Sequence, residues 1–416
     1  MRPPTPDSQD IYLARPTTGR YVLHFDPERA TEATRLLEDA GLKVASSSDS
    51  DSRALRGDEV KDADVLVLPH IGVALAAGDD ECMSRIEAMG QLGQPESVFQ
   101  AIQPESVFSL GPDDEPPEVG EHEAALGIDA GPAWHLGACR VSSSTRTGAG
   151  VRVAVLDTGL VLNHRDFQGR IDVGRTASFV FNVPTAEDGH GHGTHTAGLV
   201  CGPAQPALGP RYGVAPEAQL FVGKVISDAG IGATGEVLSG VDWAIAHGCS
   251  VVLMALEVPV ALGARYDEVW EQKGILALRR DCLLVAAVGN GSNRPHPPAP
   301  VSEPANCPSI FGVGAAAPPS GLYKKSNGER GFPGAGTVDL LAPGVRIHSS
   351  DRLPRAYRFR DGTSMAAAVT AGVAALWAEA DPSLRGARLG TALRASAFPL
   401  GIPREDGGSG LVQAPQ

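Results

Sequence analysis

Residues 151–159 read VRVAVLDTG and decide the fold class of this 416-residue chain. Their apolar run is nearly continuous, which is typical of a strand buried on both faces of a sheet. Similar strand runs alternate with helical patterns downstream: strands at 219–225, 250–255 and 282–288, and helices at 192–201, 235–247 and 264–279. This alternation predicts an α/β domain, a doubly wound and mostly parallel sheet with helices on both faces.

The carboxylate that ends this first strand is one of three distant residues that suggest a catalytic set. Asp157 follows the strand, His192 opens the segment HGTHTAG, and Ser364 lies in GTSMA before an apolar helix over 365–380. A serine hydroxyl needs a neighbouring base to take its proton, and a carboxylate holds that imidazole in the required tautomer. We therefore predict Ser364 as nucleophile, His192 as general base and then acid, and Asp157 as the orienting residue.

A fourth segment supplies a donor for the oxyanion that such an attack creates. Asn290 lies in VAAVGNG, where a predicted strand ends in a glycine-containing turn. Its side-chain amide and the backbone N–H of Ser364 are predicted to form the oxyanion hole. Such donors stabilise charge that develops only in the transition state.

These four segments, with the order Asp, His, Ser, resemble the subtilisin-like serine peptidases, the subtilase family, over roughly Asp129 to Pro399. The resemblance implies a subtilisin-like fold and hydrolysis of peptide bonds in extended protein or peptide substrates through an acyl-enzyme. It implies no cofactor for the chemistry. Structural calcium is compatible with the family but is not predicted, because residues 203–212 lack an evident set of asparagine and aspartate ligands.

The histidines around the second motif allow a different interpretation. His190, His192 and His195 lie within six residues of one another, which invites a zinc site. Only Asp188 accompanies them as a further ligand, so we predict no metal here. By the family resemblance His192 is catalytic and His195 has a structural role.

The same resemblance assigns two strand edges that would pair with a substrate backbone. These substrate-binding residues are Gly230, Ile231, Gly232, Ala255, Leu256 and Glu257. Glu257 stands where the family commonly has glycine, at the rim of the pocket for the residue that precedes the scissile bond. It either restricts that pocket or favours a basic residue in it, or it is merely an exposed surface glutamate.

The first hundred residues predict a separate small domain. Its strands are expected at 21–25, 42–45, 65–68 and 106–110, and its helices at 26–40 and 79–89. This β-α-β-β-α-β order predicts an α+β ferredoxin-like domain. Subtilases often carry such a propeptide domain, so the resemblance implies an intramolecular inhibitor and folding aid. An unrelated docking domain is the alternative.

Domain boundaries follow from composition. We expect a disordered tail at 1–19, the propeptide-like domain at 20–110, and an acidic, proline-rich linker at 111–124. The peptidase domain is expected at 125–400 and a flexible glycine- and proline-rich tail at 401–416. If the first domain is a propeptide, cleavage is expected near residues 109–123.

Charge and cysteine content exclude several classes of protein. The net charge of −14 argues against a nucleic-acid partner or an anionic membrane surface. No apolar run of 18 residues occurs, so no membrane span is expected.

The six cysteines match no metal motif and are expected to be buried thiols. Without a standard signal peptide, a cytoplasmic location is favoured over non-classical secretion, although the localisation stays unknown.

Two other functions remain open from the sequence. One is a narrow-specificity cytoplasmic processing protease that recognises its partner through the N-terminal domain. The other is an inactive module that uses the cleft only to bind peptides.

Overall fold

A computed structural model describes residues 16–47, 63–89, 97–111, 133–318 and 321–416. Residues 1–15 of the tail predicted at 1–19 therefore lie outside the described residues. So do the linker beyond Gly111 and most of the window expected for cleavage.

The N-terminal domain is one sheet with two helices. Its elements are β1 (Thr17–Phe25), α1 (Ala30–Asp39), β2 (Val44–Ser46), β3 (Val65–Leu68), β4 (Val73–Ala76), α2 (Asp80–Ala88) and β5 (Phe99–Ser109). The strand order is β2-β3-β4-β1-β5, and every pair is antiparallel except β2 with β3. The first strand begins at Thr17, so the end of the expected tail belongs to the sheet.

The ferredoxin-like pattern is present, but three strands differ from the sequence-based expectation. The last of them, expected at 106–110, is β5 and already begins at Phe99. The pattern runs β1-α1-β3-β4-α2-β5, with β4 antiparallel between β1 and β3. The segment Val73–Ala76 was not expected as a strand, and β2 is only a three-residue edge strand. Alanines alternate with larger residues in β4, because Ala74 faces the small domain's own core while Leu75 faces the large domain.

The large domain begins with α3 (Trp134–Ala138) and contains the predicted alternation. Its remaining elements are β6 (Arg152–Asp157), β7 (Thr176–Ser178), α4 (His192–Cys201), β8 (Gln219–Lys224), β9 (Ile231–Ala233), α5 (Thr234–Ala246), β10 (Val251–Met254), α6 (Glu268–Arg279), β11 (Leu283–Ala287), β12 (Phe311–Ala317), β13 (Gly321–Leu322), β14 (Leu340–Pro343), β15 (Ile347–Ser350), β16 (Tyr357–Arg360), α7 (Thr363–Ala380), α8 (Gly386–Ser396) and α9 (Arg404–Gly407). The main sheet has the order β13-β12-β11-β10-β6-β8-β7, with β14 also paired to β12. All its pairs are parallel except β12 with β13.

Helices cover both faces of this sheet, as predicted. Val153 and Val155 of β6 join a core formed with α4, α7 and α8. Ala154 and Leu156 point the other way, into a core formed with α5 and α6. Since successive side chains of a strand face opposite ways, a continuous apolar run is what a doubly covered sheet requires.

The C-terminal tail is ordered and packed, so the expectation of a flexible tail at 401–416 was wrong. Leu411 exchanges two backbone hydrogen bonds with Phe398, and the N–H of Val412 donates to Leu341 at 2.9 Å. Val412 and Ala414 are buried in the core that contains α7. Glycines at 408 and 410 adopt positive φ angles, which lets the chain turn back to the sheet.

The six cysteines are all buried and none forms a disulfide. Within the described part of the chain, no helix combines the length and apolar character needed to cross a bilayer.

Candidate active site

Three parallel strands end together at one edge of the sheet and carry the predicted site residues. The register aligns Leu156 of β6 with Met254 of β10, and Met254 with Ala286 of β11. Asp157 ends the first of these strands, and Asn290 lies just beyond the third. The C-terminal edge of a parallel sheet is where such folds place their binding sites.

Asp157 and His192 meet as the sequence predicts. Nδ1 of His192 lies 2.7 Å from Oδ1 and 2.9 Å from Oδ2 of Asp157, and both side chains are buried. The carboxylate also accepts hydrogen bonds from the backbone N–H of Thr158 and the hydroxyl of Thr196. These donors fix the carboxylate, and the carboxylate fixes the imidazole ring.

Asp188 organises the loop that leads to His192, and sequence reasoning gave it only a minor role as a ligand. Its carboxylate accepts hydrogen bonds from the N–H groups of His190, Gly191 and Thr194 and from two threonine hydroxyls. Burial alone would raise the pKa of Asp188, but these bonds, led by that from Gly191, outweigh it and lower the pKa. The aspartate therefore holds the start of α4 in place as an anion. The only sequence signal was its position just before the His-Gly repeats.

We expect Asp188→Asn to reduce the free energy of unfolding by about 2–4 kcal/mol, because an amide places N–H groups against donors that now lack an acceptor. The lowered pKa of Asp188 means that its contribution is complete above the ordinary value of about 4 and is lost as pH falls below it. Urea unfolding at pH 7 and at pH 3 should show that the difference in free energy of unfolding between wild type and variant is smaller at pH 3. Asp281→Asn is the control, since Asp281 is exposed and its φ of 58° suits asparagine. An equal gap at both pH values would contradict the prediction.

The other two histidines of the motif lie in surroundings that lower their pKa values. Nε2 of His195 lies 3.1 Å from the carbonyl oxygen of Ile347, and burial, reinforced by nearby Arg360, lowers its pKa well below the ordinary value. Burial, followed by the charge of His192, likewise lowers the pKa of His190. Across the described ranges, no group of three His, Cys, Asp or Glu side chains is arranged to hold a metal ion.

Ser364 lies in the first turn of α7, at the same edge of the sheet. Its Oγ is 3.4 Å from the carbonyl oxygen of Ala255, the residue that follows β10 beside Asp157. The preceding Gly362 has a φ of 149°, and the helix starts at Thr363. The helix α7 packs directly on α4, which carries His192 at its first position. Ser364 and His192, the predicted nucleophile and base, therefore lie in the N-terminal turns of two adjacent helices.

Asn290 is tied to the residue next to the serine. Its Oδ1 accepts from the backbone N–H of Thr363 at 3.0 Å and from the Thr363 hydroxyl at 3.2 Å. With the oxygen held in this way, the Nδ2 amide group points away from the helix. The same Nδ2 is near Gly111, where a Cβ atom added to the glycine would lie only 3.1 Å away. The donor group of Asn290 therefore faces the end of the N-terminal domain.

The two predicted substrate edges are occupied by the chain itself. The end of β5 pairs antiparallel with β9, with Phe108 opposite Gly232 and Ser109 opposite Ile231. On the other side, Ser109 exchanges two backbone hydrogen bonds of 3.1 Å with Glu257. The N–H of Leu110 donates to the carbonyl of Gly230 at 3.1 Å. Residues 107–111 therefore lie between the two edges, with the end of β5 as the central strand, and we call them the cleft segment.

Glu257 is not the exposed surface glutamate that the sequence left as one alternative. It is only 5% exposed, and Ser302 Oγ donates to its Oε2 at 2.9 Å. Its Oε1 faces Gly111. The side chain of Leu256, the residue before it, turns into the core, so Leu256 contributes only its backbone to the edge.

Buried polar contacts attach the N-terminal domain to helices α5 and α6. Glu105 accepts from the N–H of Gly235, in the first turn of α5, at 2.7 Å. Asp242 of α5 accepts from the hydroxyl of Ser47 at 2.7 Å and from the N–H of Ile71 at 3.0 Å. Lys273 of α6 donates to a carbonyl of the small domain at 3.0 Å. Each contact satisfies a polar group that the interface removes from water.

Comparison with known proteins identifies the family to which the large domain is similar. Residues 148–412 match the subtilase family, Peptidase S8. The M-protease of Shouchella clausii (strain KSM-K16) is 36% identical over 271 residues, which are 64% of this chain and 64% of that protein. Subtilisin Savinase of Lederbergia lenta is 35% identical over 271 residues, which are 64% of this chain and 90% of that protein.

Two solved structures place the fold in the same group. A cold-adapted subtilisin-like serine proteinase superposes with a TM-score of 0.54 at 30% identity, covering 66% of this chain and 92% of its own. Fervidolysin from Fervidobacterium pennivorans superposes with a TM-score of 0.68 at 20% identity, covering 96% of this chain and 60% of its own, and supports the fold alone. With a family match over most of its length and the sheet-edge geometry described above, the chain belongs to the subtilase family of serine endopeptidases.

Proposed function

We propose that this protein hydrolyses peptide bonds through Ser364, His192 and Asp157, and that its N-terminal domain inhibits it in cis. The observation that carries the proposal is the Asp157–His192 hydrogen bond of 2.7 Å at the edge where Ser364 begins a helix. No cofactor takes part in the proposed chemistry.

Each residue has a defined step in this mechanism. The carbonyl carbon of the substrate is attacked by Ser364 Oγ, and the proton passes to Nε2 of His192 because Nδ1 is bonded to Asp157. The amide of Asn290 and the N–H of Ser364 donate to the oxyanion. His192 then protonates the leaving amine, which leaves an acyl-enzyme that water hydrolyses by the reverse sequence.

The cleft segment supports self-inhibition. An extended peptide that pairs with both edges is the expected binding mode of a substrate, and residues 107–111 adopt it. Because the segment belongs to the same chain, its effective concentration at the cleft is high, and it competes with any free substrate. We propose that full activity requires this domain to leave, through cleavage near residues 109–123 or through undocking.

A fluorophosphonate probe tests whether the serine is reactive. We expect the probe to label full-length protein slowly at Ser364, because the cleft segment covers the site, and peptide mapping should locate the adduct there. Ser364→Ala is the matched control and should show no adduct. Absence of labelling in wild type, even after mild urea has loosened the N-terminal domain, would support an inactive peptide-binding module instead.

A further inference from the structure

A carboxylate lies in the part of the cleft beside Asn290, since a Cβ atom on Gly111 would approach both Glu257 Oε1 and Asn290 Nδ2. Glu257 lies on the second substrate edge, where its backbone pairs with Ser109 in both directions. Its side chain does not turn to solvent but lies buried beneath the cleft segment. The position matters because the side chain of the residue before the scissile bond would enter the same space.

A series of hydrogen bonds between buried side chains holds the carboxylate of Glu257 in place. Ser302 donates to Glu257 Oε2 at 2.9 Å and accepts from Asn327 Nδ2 at 3.2 Å. Asn327 in turn accepts from the hydroxyl of Ser292 at 3.1 Å. At Gly289 a Cβ atom would lie 2.2 Å from Oε2 of the glutamate, so this side of the pocket has no spare volume. The side chain is therefore fixed in the pocket by packing as well as by hydrogen bonds.

The residue presented to this pocket by the cleft segment is glycine. A Cβ atom on Gly111 would lie 2.8 Å from Oε1 of Glu257, closer than such contacts allow. Gly111 does not have the positive φ angle that favours glycine, so its backbone is one that other residues adopt. The absence of a side chain at 111 is therefore explained by the space that Glu257 takes and not by backbone conformation.

We propose that Glu257 determines specificity by closing the pocket for the residue that precedes the scissile bond, so that the enzyme cleaves after glycine. The assignment rests on the proposed function. A basic residue at that position is disfavoured, because its side chain would need the volume that the carboxylate fills and would break the bond to Ser302. Specificity of this kind arises from excluding larger competitors rather than from added attraction.

Cleavage of a peptide library by the full-length protein tests the proposal, with cleavage sites identified by mass spectrometry. We expect wild type to prefer glycine over phenylalanine and lysine before the scissile bond by about 10- to 200-fold, the usual range for a pocket that lacks room. Glu257→Gln keeps the size and removes the charge, so it should retain the preference. Glu257→Gly removes both and should accept phenylalanine at least about 10-fold better than wild type.

The cleft segment offers a second test within the chain. Gly111→Phe should raise the hydrolysis of a glycine-containing peptide, because the new side chain clashes with Glu257 and weakens self-inhibition. In the Glu257→Gly background the same substitution should raise activity much less, since the pocket now admits the ring. Equal effects of Gly111→Phe in both backgrounds would overturn the assignment.

The outcomes distinguish this proposal from the proposed function on which it rests. A preference for lysine that disappears in Glu257→Gln would show that charge, not volume, sets specificity, and would overturn the proposal. An unchanged preference in Glu257→Gly would do the same. Fluorophosphonate labelling of Ser364 in either case would leave the proposed function standing, whereas loss of both labelling and cleavage would reject the two together.

Discussion

Replacement of His192 by alanine is expected to lower kcat for peptide hydrolysis by about 10⁶-fold, the scale seen when the serine or histidine of such a triad is removed. In the proposed mechanism the imidazole accepts the serine proton and later protonates the leaving amine, so one substitution removes both steps. The carboxylate of Asp157 does not replace it, because it binds Nδ1 at 2.7 Å, whereas the serine proton is taken at Nε2 on the other side of the ring. Initial rates with a fluorogenic peptide would measure the effect.

Two comparisons sharpen this test. His296→Ala makes the same chemical change at an exposed histidine and should leave kcat unchanged. The double variant of His192→Ala with Ser364→Ala should be no slower than either single variant, because residues that act as a unit lose their function together. Activity of His192→Ala within tenfold of wild type would show that another group is the base.

Replacement of Phe108 by alanine is expected to activate the full-length protein by about 10²-fold or more. The ring is completely buried in the core of the large domain, edge-on to Trp270 with ring centroids 5.6 Å apart. Removing a buried phenylalanine costs about 3–5 kcal/mol, and here that cost falls on the docked state, in which the cleft segment covers the site. The equilibrium between docked and open protein therefore shifts toward the open, active form.

Initial hydrolysis rates of wild type and Phe108→Ala, measured before any cleavage of the chain, provide the test. Phe398→Ala removes an exposed ring that is 60% accessible and serves as the control. Intact-mass analysis in parallel would show whether activation precedes loss of the N-terminal domain. Equal rates for wild type and Phe108→Ala would mean that residues 107–111 do not limit activity.

The large domain could be predicted closely because its signals are local. Continuous apolar runs identified β6, β8, β10 and β11, and the strands expected at 219–225, 250–255 and 282–288 agree with the observed ranges to within a residue at either end. The motifs that end these strands or start α4 and α7 placed Asp157, His192, Asn290 and Ser364 at a common edge. A parallel sheet brings such ends together whatever the rest of the chain does.

The small domain was harder to predict because one of its strands has no distinct local signal. The strand Val73–Ala76 has two alanines and lies in a run of small residues, so it shows no distinct strand pattern. Its burial depends on a second domain that covers Val73 and Leu75. Context supplied by a distant part of the chain decides whether such a segment pairs.

The amino-acid sequence by itself determined the α/β class and the family and indicated the proposed catalytic set, since these depend on local runs of apolar residues and on motifs at their ends. Only the tertiary structure decided that Asp188 holds the histidine loop, that Glu257 lies buried beside Gly111, and that residues 411–414 complete the core. Each of these depends on contacts between residues far apart in sequence, and the burial and hydrogen bonding of a polar or flexible segment are set by the partners that folding brings to it.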